Sequence, residues 1–159
     1  MSNGKVIVLS LPHKNYATSM TNMRQYHAIV EQAITQLGLI PNEFEGPEPG
    51  IWYLKKGSAL VTVEVYLNEN NSQPYCRVYC PFMNVPSQNT YEFYKELLEL
   101  NMQYIGVTFG IIDNQAYLKV DREAEGMDVN EMYLMLTRVG NLADEYDDKL
   151  KEKYGVADA

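Results

Sequence analysis

The sequence predicts an α+β domain: an antiparallel sheet with helices packed on it, in the order α-β-β-β-α-β-β-α. Three observations lead there. Apolar residues recur at helical spacing through "TNMRQYHAIVEQAITQLG", and the period then changes to alternation between Ile51 and Phe82. The stretch "GVTFGIIDNQAYLKVD" brings two apolar faces together when Asp113-Asn114 is read as a two-residue turn. A capping signature at "DVNE" introduces a long run of apolar residues spaced three and four apart.

The first helix places Met23, Tyr26, Val30, Ala33, Ile34 and Leu37 on one face, with Thr21 as N-cap and Gly38 as the stop. His27 sits at the margin of that face. A histidine there is read as a packing or hydrogen-bonding residue, and no carboxylate or cysteine partner is visible near it. After the connector "PNEFEGPEPG", the segment "IWYLKKGSALVTVEVYL" reads as two strands around a Lys56-Gly57 turn, which sets Trp52 opposite Val61 and Leu54 opposite Ala59. Val61, Val63, Val65 and Leu67 then form one buried face, with Thr62, Glu64 and Tyr66 on the other.

The polar loop "NENNSQP" follows; its Asn70-Asn71-Ser72 sequon is read as an ordinary turn. "YCRVYCPF" is a third strand that aligns Cys76, Val78, Cys80 and Phe82. Four residues along a strand span roughly 13 Å, beyond the ~7 Å reach of a disulfide. Neither His13 nor His27 is spaced as a zinc partner to these thiols. Cys76 and Cys80 are therefore expected to be reduced core residues.

A second helix covers residues 89 to 101. Glu92, Lys95, Glu96 and Glu99 fall within about 100° of arc, which leaves an apolar face wider than one sheet contact needs. Either the tyrosine-bearing flank serves a second contact, such as a subunit interface, or the chain's own loops cover it. In the hairpin that follows, Ile111 opposes Ala116, Phe109 opposes Leu118 and Val107 opposes Val120. Asp113 is a turn residue here, not a catalyst. The last helix starts at Asp128 with Glu131 completing a capping box, and Val129, Met132, Leu136, Val139, Ala143, Tyr146 and Leu150 form its seam. At ~1.5 Å per residue it reaches roughly 35–40 Å, with "DEYDDKLKEKYG" projecting into solvent. Its seam packs on the domain's own sheet or, alternatively, on a coiled-coil partner.

With 159 residues the chain fits one domain that buries roughly two-thirds of its unfolded surface. Lys plus Arg number 13 against 21 Asp plus Glu, a net charge of -8, which argues against nucleic acid and anionic membranes as partners. No apolar run approaches the ~20 residues of a membrane span, and the short run from Val6 to Leu11 is not a signal-peptide core. A cytoplasmic protein is expected. Phosphate-loop, dinucleotide, zinc-protease and nucleophile-elbow motifs are all missing from the sequence, so no enzyme, catalytic residue, cofactor or metal is expected.

The succession of elements, with "LLELN" leading into "GVTFGIIDNQAYLKVD" and then "EMYLMLTRVGNLAD", resembles the bacterial YbjN family and, more broadly, the fold of class I type III secretion chaperones. The resemblance implies an α+β domain over residues 21 to 155, a homodimer, and a non-enzymatic role in binding an extended or disordered protein segment or in regulation. A small-ligand sensory domain is the alternative. Residues 1–20 are then an N-terminal arm or extra edge strand, and residues 156–159 a disordered tail. The interface expected for the dimer or partner comprises Tyr91, Tyr94, Leu98 and Tyr104.

Overall fold

The computed structural model describes residues 16–69 and 73–155, with side chains from residue 23 onward. The expected terminal tail, the sequon turn and most of the N-terminal arm lie outside the described residues. The elements are α1 (Tyr16–Gln36), β1 (Ile51–Lys56), β2 (Ala59–Leu67), β3 (Pro74–Asn84), α2 (Thr90–Gln103), β4 (Thr108–Ile112), β5 (Gln115–Glu123) and α3 (Val129–Tyr154). All strand pairs are antiparallel and the sheet order is β1-β2-β3-β5-β4, so β1 and β4 are the edges. The predicted α+β class and element order are both present.

Alternation decides which face the helices cover. Trp52, Leu54, Val61, Val63, Val65, Cys76, Val78, Cys80 and Leu118 are all buried on one side, against α3 and α1. The other side, which no described element covers, is polar and bears Tyr66, Tyr75, Arg77, Tyr79 and Lys119. β3 bulges between Pro81 and Met83, so Phe82 and Met83 are both buried although adjacent. In α3, Asp128 accepts from Glu131 N–H at 2.7 Å while the Glu131 carboxylate accepts from Asp128 N–H at 2.9 Å, which is the predicted capping box. Asp113 (φ 48) and Asn114 (φ 64) both lie in the left-handed region that a type I′ turn requires, and the predicted pairs Ile111–Ala116 and Phe109–Leu118 form.

Five expectations need correction. The first helix begins at Tyr16, so Thr21 is interior; no glycine or proline between them stops the helix. The β1–β2 turn is Gly57-Ser58, one residue later than expected, which pairs Trp52 with Val63 and Leu54 with Val61. Gly57 supplies the positive φ of 56 at the first turn position. Because the register moves by two, the same side chains still face inward. Leu67, at the end of β2, is exposed, while Thr62 on the opposite face is buried between Tyr53 and Tyr79 in the strand register. The β4–β5 ladder stops at Thr108 and does not reach Val107. The charged end of α3 does not project. Tyr146, Asp147 and Leu150 are buried, and Tyr154 packs edge-on against Phe93 of α2 with ring centroids 5.2 Å apart.

Candidate functional site

The wide apolar face of α2 resolves into two stripes. Phe93, Leu97 and Leu100 point into the core. Tyr91, Tyr94, Leu98 and Met102 fall within about 80° of arc at 100° per residue, centred about 130° from the core stripe, and all four are exposed. Ile105, just past the helix, continues this second stripe and is 92% exposed; Met102 is 88% exposed. Three predicted site residues, Tyr91, Tyr94 and Leu98, thus share one surface that no described residue covers. Its other members, Met102 and Ile105, follow at the same spacing of four and three.

Tyr104 is placed differently. It is the C-cap residue of α2, not part of a strand, and its ring is half-buried against the core. Its hydroxyl lies 2.9 Å from that of Tyr146 on α3, and its ring meets the Tyr146 ring edge-on at 5.8 Å. Burial, reinforced by this hydroxyl contact, pushes the Tyr146 pKa up. Tyr104 therefore joins α2 to α3 from behind the exposed stripe.

One side chain of α2 hydrogen-bonds the backbone of the edge strand. The Asn101 amide donates to Phe109 C=O at 3.0 Å and accepts from Phe109 N–H at 2.7 Å, pairing with β4 as a neighbouring strand would. Antiparallel alternation makes Ile111 the remaining β4 residue whose N–H and C=O turn outward. On the other edge, Tyr53 N–H donates to Phe44 C=O and Gly46 N–H to Ile51 C=O, both at 2.8 Å, so the connector covers the first half of β1. Both edges of the sheet are thus partly occupied, which limits addition of a further strand.

The remaining surfaces are largely self-satisfied. On the uncovered sheet face, Arg77 donates to Asp121 at 2.5 Å and to the Tyr66 hydroxyl at 2.9 Å, and it lies 3.7 Å from Glu64. Lys119 donates to Asp121 at 2.6 Å. Burial would raise the Asp121 pKa, but the hydrogen bonds and charges of Lys119 and Arg77 outweigh it and hold the carboxyl below its usual range. An open cleft of about 640 Å³ between α2 and α3 contains Glu96, which accepts from Lys153 at 2.8 Å and from the Tyr154 hydroxyl at 2.7 Å. Here too burial opposes ionisation and the two hydrogen bonds prevail, lowering the pKa.

His27 does have carboxylate neighbours, contrary to the expectation: Glu31 on the same helix and Glu45 on the connector act on its charge. Burial nevertheless dominates and lowers its pKa. Cys76 and Cys80 are free and fully buried, and burial pushes each thiol up to about 12. Among the described residues no group of three His, Cys, Asp or Glu side chains is arranged to hold a metal ion, and no helix is long and apolar enough to cross a membrane.

Residues 24–156 match the family described as type III secretion system (YopN, CesT) and YbjN peptide-binding chaperone 1. No curated protein matches the sequence. Among solved structures, a chain of the ExsC–ExsE complex is 12% identical with a TM-score of 0.58, covering 79% of this chain and 93% of its own. A chain of the HopA1–SchA chaperone–effector complex is 10% identical with a TM-score of 0.58, covering 83% of this chain and 97% of its own. The Yersinia pestis type III secretion chaperone SycH, solved with a stable fragment of YscM2, gives 18% identity and a TM-score of 0.55, covering 74% and 96%. At these identities the likeness is one of fold.

Proposed function

The chain belongs to the family of type III secretion and YbjN peptide-binding chaperones, and on that premise we propose that it is a cytoplasmic, homodimeric, chaperone-like protein that binds an extended protein segment without catalysing a reaction. The observation behind the dimer is the exposed α2 stripe. Tyr91, Tyr94, Leu98, Met102 and Ile105 form a second apolar seam that nothing in the described chain covers. Burying a leucine, methionine or isoleucine contributes about 1.5–3 kcal/mol each, and tyrosine adds a large rigid ring whose hydroxyl can stay wet. A second copy across a two-fold axis presents the same stripe and satisfies both surfaces at once. Tyr104 supports this interface by fixing the end of α2 against Tyr146.

The experiment is light scattering coupled to size exclusion. The wild type should run at twice the chain mass of 18.2 kDa at micromolar concentration, and Tyr94→Glu or Leu98→Glu should give a folded monomer. A wild-type monomer whose behaviour these substitutions leave unchanged would overturn the interface. Peptide binding is measured separately, by calorimetric titration with unstructured peptides of varied sequence; failure of every peptide to bind would remove the chaperone reading.

A further inference from the structure

At the end of β1 that the connector leaves free, the sheet, the end of α1 and the middle of α3 bound a groove of about 260 Å³. Leu37, Leu39, Leu54, Val61 and Leu136 give it apolar walls. Gly140 of α3 completes them. Glycine inside a helix is destabilising relative to alanine, so its presence calls for a reason. Close packing is not that reason: a Cβ added at Gly140 would lie 3.6 Å from Lys56 Cβ and Cγ and 3.9 Å from Val61 Cγ2, which are ordinary contacts. The missing side chain leaves the groove open.

The rim is polar. Lys56 passes its stem over Gly140, and its ammonium makes no ion pair with a described residue. The Asp144 carboxylate sits over Gly57, where a Cβ would lie 2.0 Å from its Oδ1, and it does not pair with Lys56. The Thr137 hydroxyl is used within α3, donating to Tyr133 C=O at 3.0 Å. Along β1, the connector occupies the outward main-chain groups of Ile51 and Tyr53. Alternation turns the N–H and C=O of Lys55 outward as well, and no described backbone group bonds them. The strand ends one residue later, at Lys56.

These features select an occupant. The volume lies below the ~300–1,000 Å³ of sites that enclose whole small molecules, and it suits one large apolar side chain. An internal strand needs a run of free main-chain positions along an edge, whereas β1 offers one, Lys55. A chain end needs no more than one, and its carboxylate meets the unpaired Lys56 ammonium in a charge-assisted hydrogen bond. We propose that the groove takes the C-terminal residue of an extended polypeptide, with its apolar side chain between Leu54 and Leu136, its main chain beside Lys55 and its carboxylate at Lys56. The inference rests on the peptide-binding reading above and assigns the end of the peptide that is held and the class of its last residue. β1 lies four strand positions from β4, about 19 Å at ~4.8 Å per strand, so a dimer joined through α2 leaves this side open. The net charge of -8 draws no anion in from a distance, so the carboxylate is recognised locally, by Lys56.

The full chain is titrated by calorimetry with a short, unstructured, N-acetylated peptide of neutral residues that ends in leucine. Its free acid is compared with its C-terminal amide and with the same peptide ending in glycine. The free acid should bind about tenfold more tightly than the amide, and leucine at least about tenfold more tightly than glycine. Octanoate, which has the chain and the carboxylate but no peptide group, should bind about tenfold more weakly than the leucine acid. Lys56→Gln should erase the preference for acid over amide and keep that for leucine over glycine. Gly140→Leu should fill the groove and abolish both without altering far-ultraviolet circular dichroism, whereas Tyr94→Glu should leave both intact. Equal affinity for acid and amide, a preference for acid that survives Lys56→Gln, or octanoate binding as tightly as the peptide overturns the proposal. Peptides that bind regardless of how they end leave peptide binding itself standing. If no unstructured peptide of any sequence binds, both readings fall.

Discussion

Glu96 illustrates how one side chain is set by its neighbours. Its carboxylate accepts from Lys153 and Tyr154, tying the end of α3 to α2, and its folded pKa lies below the ordinary value of 4.5. A carboxyl with a lowered folded pKa contributes stability that is fully present above the unfolded value and is lost as pH falls through the folded one. Glu96→Gln should therefore cost about 1 kcal/mol at pH 7, and the difference from wild type should shrink below pH 4.5. Chemical denaturation across that range checks it; a constant difference would mean that Glu96 acts by packing alone. Residue-level features of this kind were legible only when local. Asp128 and Glu131 cap each other within three residues, and Asp113-Asn114 announces its own turn. The Asn101 clamp on Phe109, the Tyr104–Tyr146 pair and the approach of Glu45 to His27 each join different elements. Their partners cannot be chosen until the elements are in place.

Between elements, α2 is tied to β4 by two hydrogen bonds of Asn101. Both bonds go to one backbone unit in an edge strand, so removing the amide leaves a half-buried N–H and C=O without partners. Asn101→Ala is expected to cost about 2 kcal/mol, a fall of several degrees in Tm. Asn101→Asp should fall between the two, because a carboxylate can accept from Phe109 N–H but cannot donate to its C=O; equal losses for both substitutions would show that only one bond matters. β3, in the middle of the sheet, gives the opposite kind of element. Cys76 and Cys80 are buried in it with pKa values pushed up to about 12, so thiol reagents should label them slowly in native buffer and rapidly in denaturant, with no cross-link on oxidation. Rapid native labelling would contradict that placement. Alternation made the inward faces of β2 and β3 readable, and heptad-like spacing did the same for α3. The β1–β2 turn was misplaced because Lys56-Gly57 and Gly57-Ser58 serve the inward pattern equally well. The structure selects the second, in which Ser58 reaches buried Asp147 on α3 at 3.0 Å.

For the whole molecule, charge arrangement matters more than charge total. The chain carries 13 basic groups against 21 acidic ones, and many of the basic groups are already paired. Arg77 and Lys119 are held by Glu64 and Asp121 on the uncovered sheet face, Arg122 by Glu131, Lys153 by Glu96 and Lys149 by Glu145. Contact with phosphates would require breaking these pairs in a field that already repels polyanions, while releasing few counterions. A labelled DNA duplex or RNA strand should thus show no change in fluorescence anisotropy with tens of micromolar protein at roughly 50 mM salt, a condition that favours phosphate binding. A nucleic-acid complex that survives physiological salt would refute the polarity assigned to the molecule's surface.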